Sequence, residues 1–136
     1  MDRVSVPLPD TVKKLLDEKR FATIATVEPD GRPHLSVVWV ARDGDDVLVS
    51  TVEGRRKHRN LVRDPHATVL VYLEENPYAY AEVRGTAELT REGGRELIDD
   101  LNLKYHGQPR YLRDDGTDNV RVVVRIHPDK VVVRNL

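Results

Sequence analysis

Apolar and polar residues alternate along most of this chain, in short segments separated by turn-forming residues. Alternation with a period of two is typical of β-strands that bury one face. The pattern predicts strands over 21–27, 33–41, 47–51, 67–73, 78–89, 120–126 and 130–134. Glu28-Pro29-Asp30-Gly31 and Asp43-Gly44-Asp45 mark the turns between the first three strands. These three strands are therefore predicted to form a meander.

Helical spacing of apolar residues occurs in three places. A predicted N-cap at Asp10 precedes apolar positions 12–16, which indicates a helix ending near residue 20. A second, basic helix follows the third strand, and Thr90 is predicted to cap a third helix that runs to about Tyr105. Residues 106–119 are polar and rich in Gly, Pro and Asp, so they are predicted to form a long loop.

The strand and helix pattern together indicates a mainly β protein. Antiparallel strands with few and short helices favour a small β-barrel with peripheral helices, and a β-sandwich fits the same spacing as an alternative. We expect six to seven strands, about three helices and one domain over residues 1–136, because 136 residues suffice to bury a core.

Composition narrows the classes of partner. A formal net charge of −1 and a pI of about 6.5 argue against a nucleic-acid partner, which usually demands a basic protein. The chain has no cysteine, which fits a reducing cytosol. No apolar run approaches the roughly 20 residues that span a bilayer, and residues 1–7 lack a signal-peptide core. We therefore expect a cytoplasmic protein with no membrane partner.

The strongest indication of chemistry is the segment 54–63, in which five of ten residues are Lys or Arg and none is acidic. A strand, a turn at Gly54 and a basic helix N-terminus together form a good receptor for a phosphate. The guanidinium of Arg55 can bind a phosphate or carboxylate through two hydrogen bonds. Ser50 and Thr51, at the end of the preceding strand, can add hydroxyl and backbone donors.

A second interpretation of the basic segment stays open. Its arginines could pair with Glu53, Asp64 and Glu74 on a solvated helix. Nucleic acid is a weaker alternative, because no aromatic residue lies within the segment to stack on bases.

Other candidate sites are weaker. The five histidines have no spacing that builds a metal site, so we predict no metal. Motifs of serine hydrolases, P-loop enzymes and Rossmann enzymes are absent from the sequence. Trp39, the only tryptophan, is interpreted first as a core residue. Tyr78 and Tyr80 could line a pocket or an interface between subunits.

Several stretches, in a fixed order, carry a resemblance to a known family. They are Phe21-Ala22-Thr23-Ile24-Ala25-Thr26, Asp30-Gly31-Arg32-Pro33-His34, Val37-Val38-Trp39, Arg55-Arg56-Lys57-His58-Arg59-Asn60-Leu61, Arg63-Asp64-Pro65 and Tyr80-Ala81-Glu82-Val83-Arg84-Gly85-Thr86-Ala87. In this order the chain resembles the pyridoxamine 5'-phosphate oxidase-like split-barrel proteins, and among them the flavin/deazaflavin oxidoreductases that use coenzyme F420. The basic helix followed by Arg63-Asp64-Pro65 favours the deazaflavin branch over the FMN branch.

The resemblance implies a split β-barrel of the FMN-binding type and a set of cofactor-binding residues. Within the basic helix, Arg55 and Lys57, with Arg56 beside them, match the positions that hold the cofactor phosphate. Asn60 matches the polar position behind that phosphate.

Residues outside the helix complete the implied site. Ser50 and Thr51 match the strand end beside the phosphate. The strand Val37-Val38-Trp39 matches the backbone edge along which the ring system lies. Tyr80 resembles a position that the second subunit contributes, because family members are homodimers with cofactor sites at the interface. The resemblance provides no match for the loop 106–119.

The implied activity is hydride transfer from the reduced deazaflavin to an unsaturated, small organic substrate. The cofactor carries out the difficult step, which explains why no catalytic residue or proton donor can be named from the sequence. Two alternatives stay open: an FMN-binding oxidoreductase on the same fold, and a non-catalytic carrier of deazaflavin or flavin. The sequence does not identify the substrate.

Overall fold

The computed structural model describes residues 5–136 and has three helices and seven strands in that range. The helices are α1 (Asp10–Asp17), α2 (Arg56–Arg63) and α3 (Gly94–His106). The strands are β1 (Ala22–Val27), β2 (Pro33–Val38), β3 (Ala41–Asp43), β4 (Asp46–Val52), β5 (His66–Leu73), β6 (Asn76–Thr90) and β7 (Arg121–Arg134). All pair antiparallel in one sheet, in the order β2-β1-β5-β6-β7-β4-β3. The predicted fold class is confirmed.

The strand order requires the sheet to curl. β2 and β3 are its two edge strands, yet only Trp39 and Val40 separate them in sequence. Such a short connection spans about 10 Å at most, so the two edges must approach each other. The sheet therefore closes into a split barrel around a core of alternate strand residues. This core includes Ile24, Val47, Val49, Val69, Val71, Val83, Val124 and Ile126, all of them fully buried.

Helix α3 covers the seam between β2 and β3. The backbone N–H of Val40 donates a hydrogen bond to the Tyr105 hydroxyl (3.1 Å), and Lys104 Nζ donates to the carbonyl of Val40 (2.7 Å). These side chains supply partners that a neighbouring strand would otherwise provide, as buried backbone groups require. Trp39 and Val40 therefore leave the sheet, and the predicted continuous strand over 33–41 is wrong.

The predicted three-stranded meander is wrong for the same reason. β1 pairs with β2 and β3 pairs with β4, and these two hairpins lie at opposite edges of the sheet.

β7 continues through Pro128, where the sequence predicted two strands separated by residues 127–129. Its register on β6 shifts between Arg84 and Gly85, so that one residue of β7 has no counterpart. A bulge of this kind accommodates a proline, which has no N–H to donate. Gly85 is required opposite the bulge, because a Cβ there would lie 2.4 Å from the carbonyl oxygen of His127.

Two predicted helix boundaries are also corrected. Asp10 is the first residue of α1 rather than its cap, and α1 ends at Asp17 instead of near residue 20. Thr90 is the last residue of β6, and the N-cap of α3 is Gly93, which has a φ of 79°. Only glycine adopts this left-handed conformation readily. No helix within residues 5–136 is long and apolar enough to cross a bilayer.

Candidate cofactor-binding site

The barrel seam opens into a cavity of about 230 Å³, here called the seam cavity. Its walls are Val37, Val38, Trp39, Ser50, Arg55, Lys57, Ile98, Leu101, Tyr111, Arg113 and Arg121. A second cavity of about 440 Å³, here called the cationic cavity, adjoins it. That cavity is lined by His34, Ser50, Thr51, Gly54, Arg55, Arg56, Lys57, Arg59 and Arg121. Four residues belong to both walls, so the two cavities are direct neighbours.

Part of the seam cavity is apolar and aromatic. Val37 and Val38 of β2, the following Trp39 and Ile98 of α3 line it there. The Trp39 ring stacks on Tyr105, with ring centres 5.2 Å apart and planes 8° from parallel. A flat aromatic group would find dispersion contacts in this part of the cavity.

The adjoining cavity is cationic, and the local chain geometry explains why. β4 ends at Val52, Gly54 turns the chain with a φ of 89°, and α2 begins directly after Arg55. The first turn of α2 contains no acidic residue. The predicted order of strand, glycine turn and basic helix is therefore present, and the helix N-terminus adds a favourable field for an anion.

The carboxylates that could have neutralised α2 are engaged elsewhere. Glu53 pairs with Arg91 (2.7 Å), Glu74 with Arg20 (2.7 Å) and Asp64 with His66 (2.7 Å). The structure therefore does not support the alternative in which these groups pair with the basic helix.

Four cations of α2 and its cap have no carboxylate partner within the described part of the chain; one of them, Arg63, donates to the carbonyl of Val27. Arg55 and Arg59 make no side-chain hydrogen bond or ion pair there, and Lys57 donates only to the Ser36 hydroxyl (2.8 Å). Burial, together with the positive charge of Arg55, lowers the pKa of Lys57 below its ordinary value. An anion bound here would offset that cost by pairing with the ammonium group. Arg56 differs, since it pairs with Glu28 (2.8 Å).

Two of the predicted site residues line neither cavity. Asn60 is only 2% exposed, and its side-chain amide donates to the Thr26 hydroxyl (3.1 Å), so it faces the barrel behind the cationic side chains. Tyr80 lies on the outer face of the sheet, opposite Tyr72 of β5. Its predicted place in the site of a second subunit stays a prediction.

Arg121 lines both cavities and was missed from the sequence. Its Nε donates to Asp114 Oδ2 (2.7 Å), and its guanidinium lies 4.9 Å from the ring centre of Tyr111. The Arg121 guanidinium holds the pKa of the Asp114 carboxyl below its usual range. Arg121 reaches the site because β7 pairs with β4, where it lies opposite Val52. This long-range pairing leaves no local signal in the sequence.

Tyr111 and Arg113, in the segment between α3 and β7, were missed as well. The predicted loop is present there, because no helix or strand lies between α3 and β7. Through Tyr111 and Arg113, this loop forms part of the wall of the seam cavity.

A split β-barrel with a cationic cavity beside an aromatic cleft defines a class of proteins that bind flat, anionic cofactors. The family model described as pyridoxamine 5'-phosphate oxidase matches residues 8–135, and the chain belongs to this family. Flavin- or deazaflavin-type oxidoreductase chemistry is what this membership supports at family level.

Solved structures agree with the family assignment. The chain is similar to an F420 reductase, with 28% identity over 92% of this chain and 98% of that one, and a TM-score of 0.80. It also shares its fold with a conserved hypothetical protein of Mycobacterium tuberculosis, at 23% identity over 96% and 87% of the two chains with a TM-score of 0.74. A pyridoxamine 5'-phosphate oxidase assigned as putative in Listeria innocua matches at 21% identity over 93% and 98%, with a TM-score of 0.72.

Proposed function

We propose that this protein is a coenzyme F420-dependent oxidoreductase that transfers hydride from the reduced deazaflavin to an unsaturated organic acceptor. One observation carries the proposal. Three cations without carboxylate partners, Arg55, Lys57 and Arg59, line a cavity that is a direct neighbour of an aromatic cleft. A ligand that suits these two neighbouring cavities is flat at one end and anionic at the other.

The residues present fit such a ligand. Arg55 and Lys57 would bind the phosphate, with Arg56 beside them and the hydroxyls of Ser50 and Thr51 available as donors. Charge-assisted hydrogen bonds of this kind are among the stronger ones in proteins.

The ring system would lie along the β2 edge at Val37, Val38 and Trp39. Asn60 would support the phosphate indirectly, because its bond to Thr26 ties α2 to the barrel.

The extent of the cationic cavity favours F420 over FMN. A single phosphate needs one or two cations, and Arg55 with Lys57 would satisfy it. Arg59 extends the positive surface further, and no acidic residue within the described range lines this cavity. The tail of F420 carries glutamate carboxylates in addition to its phosphate, so it has a charge for this further cation.

The bound deazaflavin would supply the hydride. The protein would bind the cofactor, orient it and shield it from competing reactions. The segment Val37-Val38-Trp39 would contact the ring system at one end of the seam cavity. No side chain in the cavity is assigned as a proton donor.

We further propose a homodimer with its cofactor sites at the interface. Leu35 and Val37 are 62% and 70% exposed on the outer face of the edge strand β2. Tyr72 and Tyr80 lie on the same outer face of the sheet, in β5 and β6. An exposed apolar surface of this kind is typical of an interaction site. A second copy covering this face would bring Tyr80 towards the site of its partner.

The proposal is tested by titrating the purified protein with F420 and, in parallel, with FMN, and by measuring both binding constants by calorimetry. We expect tighter binding of F420, and oxidation of reduced F420 when unsaturated acceptors are added. Tighter binding of FMN would replace the proposal with the flavin alternative. Tight F420 binding without turnover across quinone, enone and nitro acceptors would favour a carrier. Light scattering on the same samples tests the dimer, which a monomeric mass would contradict.

A further inference from the structure

A third cavity, of about 330 Å³, lies beside the seam cavity and is here called the loop cavity. Its walls are Trp39, Asn102, His106, Gln108, Arg110, Tyr111, Leu112 and Arg113. Trp39, Tyr111 and Arg113 also line the seam cavity, so the two spaces meet at these three residues. Any molecule in the loop cavity would therefore border the proposed cofactor site.

The loop that forms this cavity is tied to α3 at several points. The Asn102 amide, on a residue 7% exposed, donates to the carbonyls of Gln108 (3.0 Å) and Arg110 (3.2 Å). The backbone N–H of Tyr111 donates to Asp99 Oδ1 (2.8 Å), and its carbonyl accepts from Arg95 (2.6 Å). These bonds hold the loop cavity in shape in the absence of a ligand.

Aromatic rings form one wall of the loop cavity. The Trp39 ring meets the ring of His106 edge-on, with centres 5.0 Å apart and planes at 74°. It also meets the Tyr111 ring edge-on, at 6.2 Å and 87°. All three rings line the loop cavity, where a planar molecule would pack against them.

Arg113 lies where the two cavities meet, and it is exposed. Its side chain makes no hydrogen bond or ion pair within the described chain, whereas its neighbour Arg110 pairs with Asp115 (3.5 Å). No acidic residue among 5–136 lines either cavity. A guanidinium in this position without a partner is suited to a carboxylate, which it can bind through two parallel hydrogen bonds.

We propose that the loop cavity is the acceptor site, and that Arg113 selects a planar acceptor that carries a carboxylate. This inference rests on the proposed function and adds to it a substrate class and a specificity-determining residue. The aromatic wall would bind the planar body, and Arg113 would bind the acid group at the border with the cofactor.

The test compares a naphthoquinone carboxylic acid with its methyl ester, which has the same rings without the charge. Binding is measured on the cofactor-free protein by calorimetry and by quenching of Trp39, the only tryptophan in the chain. We expect the acid to bind at least about tenfold more tightly than the ester, as a charged hydrogen-bonded pair implies. Arg113→Ala should abolish this preference and leave ester binding unchanged, while Arg113→Lys should retain part of it.

Lys14→Ala serves as the control, because Lys14 is an exposed α1 residue that lines none of these cavities. A preference for the acid that survives in Arg113→Ala would overturn the inference. So would an equal loss for both compounds, or no measurable binding of either to the wild type.

An F420 titration of the same variants distinguishes the two proposals. Because Arg113 also lines the seam cavity, we expect Arg113→Ala to weaken F420 binding by less than it weakens binding of the acid. Weakened F420 binding with an unchanged acid preference would mean that Arg113 contacts the cofactor tail instead, and the inference would fall. F420 binding without any acid preference removes only this inference. Acid preference without F420 binding removes only the proposed function.

Discussion

Removal of the two cations assigned to the phosphate is the most direct perturbation of the proposed site. Arg55→Ala removes a guanidinium that has no partner in the described chain. Lys57→Met removes the ammonium group and keeps an apolar side chain of similar length. Each charge-assisted hydrogen bond contributes about 1.5–3 kcal/mol. Because such effects are not additive, we expect the double variant to lose about 2–5 kcal/mol of binding free energy.

That loss corresponds to a Kd for F420 that is roughly 30- to 5,000-fold higher. It is measured by titration of deazaflavin fluorescence, with Lys14→Ala as a control that loses a positive charge away from the cavities. Lys57→Met should not lower the free energy of unfolding, because burial disfavours the charged form of Lys57. Thermal unfolding checks this point. An unchanged Kd in a double variant that unfolds at the wild-type temperature would refute the assignment of the phosphate site.

Three further outcomes follow from groups around the site. Since burial lowers the pKa of Lys57, the affinity for F420 should fall as the pH rises through that lowered pKa. Lys57→Arg should keep its affinity across the same alkaline range. The same dependence of F420 affinity on pH in both proteins would contradict this. Asp114→Asn should lower the free energy of unfolding by about 3 kcal/mol at neutral pH, because it leaves the guanidinium of Arg121 without its carboxylate. Arg121 lowers the pKa of Asp114. The stabilisation by this pair is therefore present above the ordinary pKa of Asp and is lost as the pH falls through the lowered value. The free energies of unfolding of the wild type and Asp114→Asn, measured by denaturant titration, should converge in acid. Tyr105→Phe should lower the free energy of unfolding by about 1–2 kcal/mol, because the backbone N–H of Val40 loses its acceptor at the seam. A thermal unfolding curve identical to that of the wild type would show that this hydrogen bond does not stabilise the seam.

Local patterns predicted the elements well where each strand buries one face. β5 and β6 lie close to their predicted bounds, because alternation reports directly which side of a strand is buried. The prediction failed at residues 39–40, where apolar residues continue but the chain leaves the sheet. The partners of Val40 there are Lys104 and Tyr105, more than sixty positions away in sequence. No alternation pattern encodes a hydrogen bond to a distant helix.

Some features of the candidate site are visible in the sequence, and others are visible only in the structure. The cationic character of the segment 54–63 is visible in the sequence, because like charges lie next to each other along the chain. That Arg55 and Lys57 lack carboxylate partners could be seen only once Glu53, Glu74 and Asp64 were found engaged elsewhere. Arg121 and Arg113 became visible only through the pairing of β7 with β4 and the attachment of the loop to α3.

By itself, the sequence determined the mainly β class, most of the strands and the cationic character of the second helix. All of these depend on the side chains of neighbouring residues. Tertiary structure alone decided where the sheet closes, which cations stay without partners and which aromatic rings border them. These properties depend on contacts between residues far apart in the chain, and such contacts form only when the curled sheet brings its two edges together.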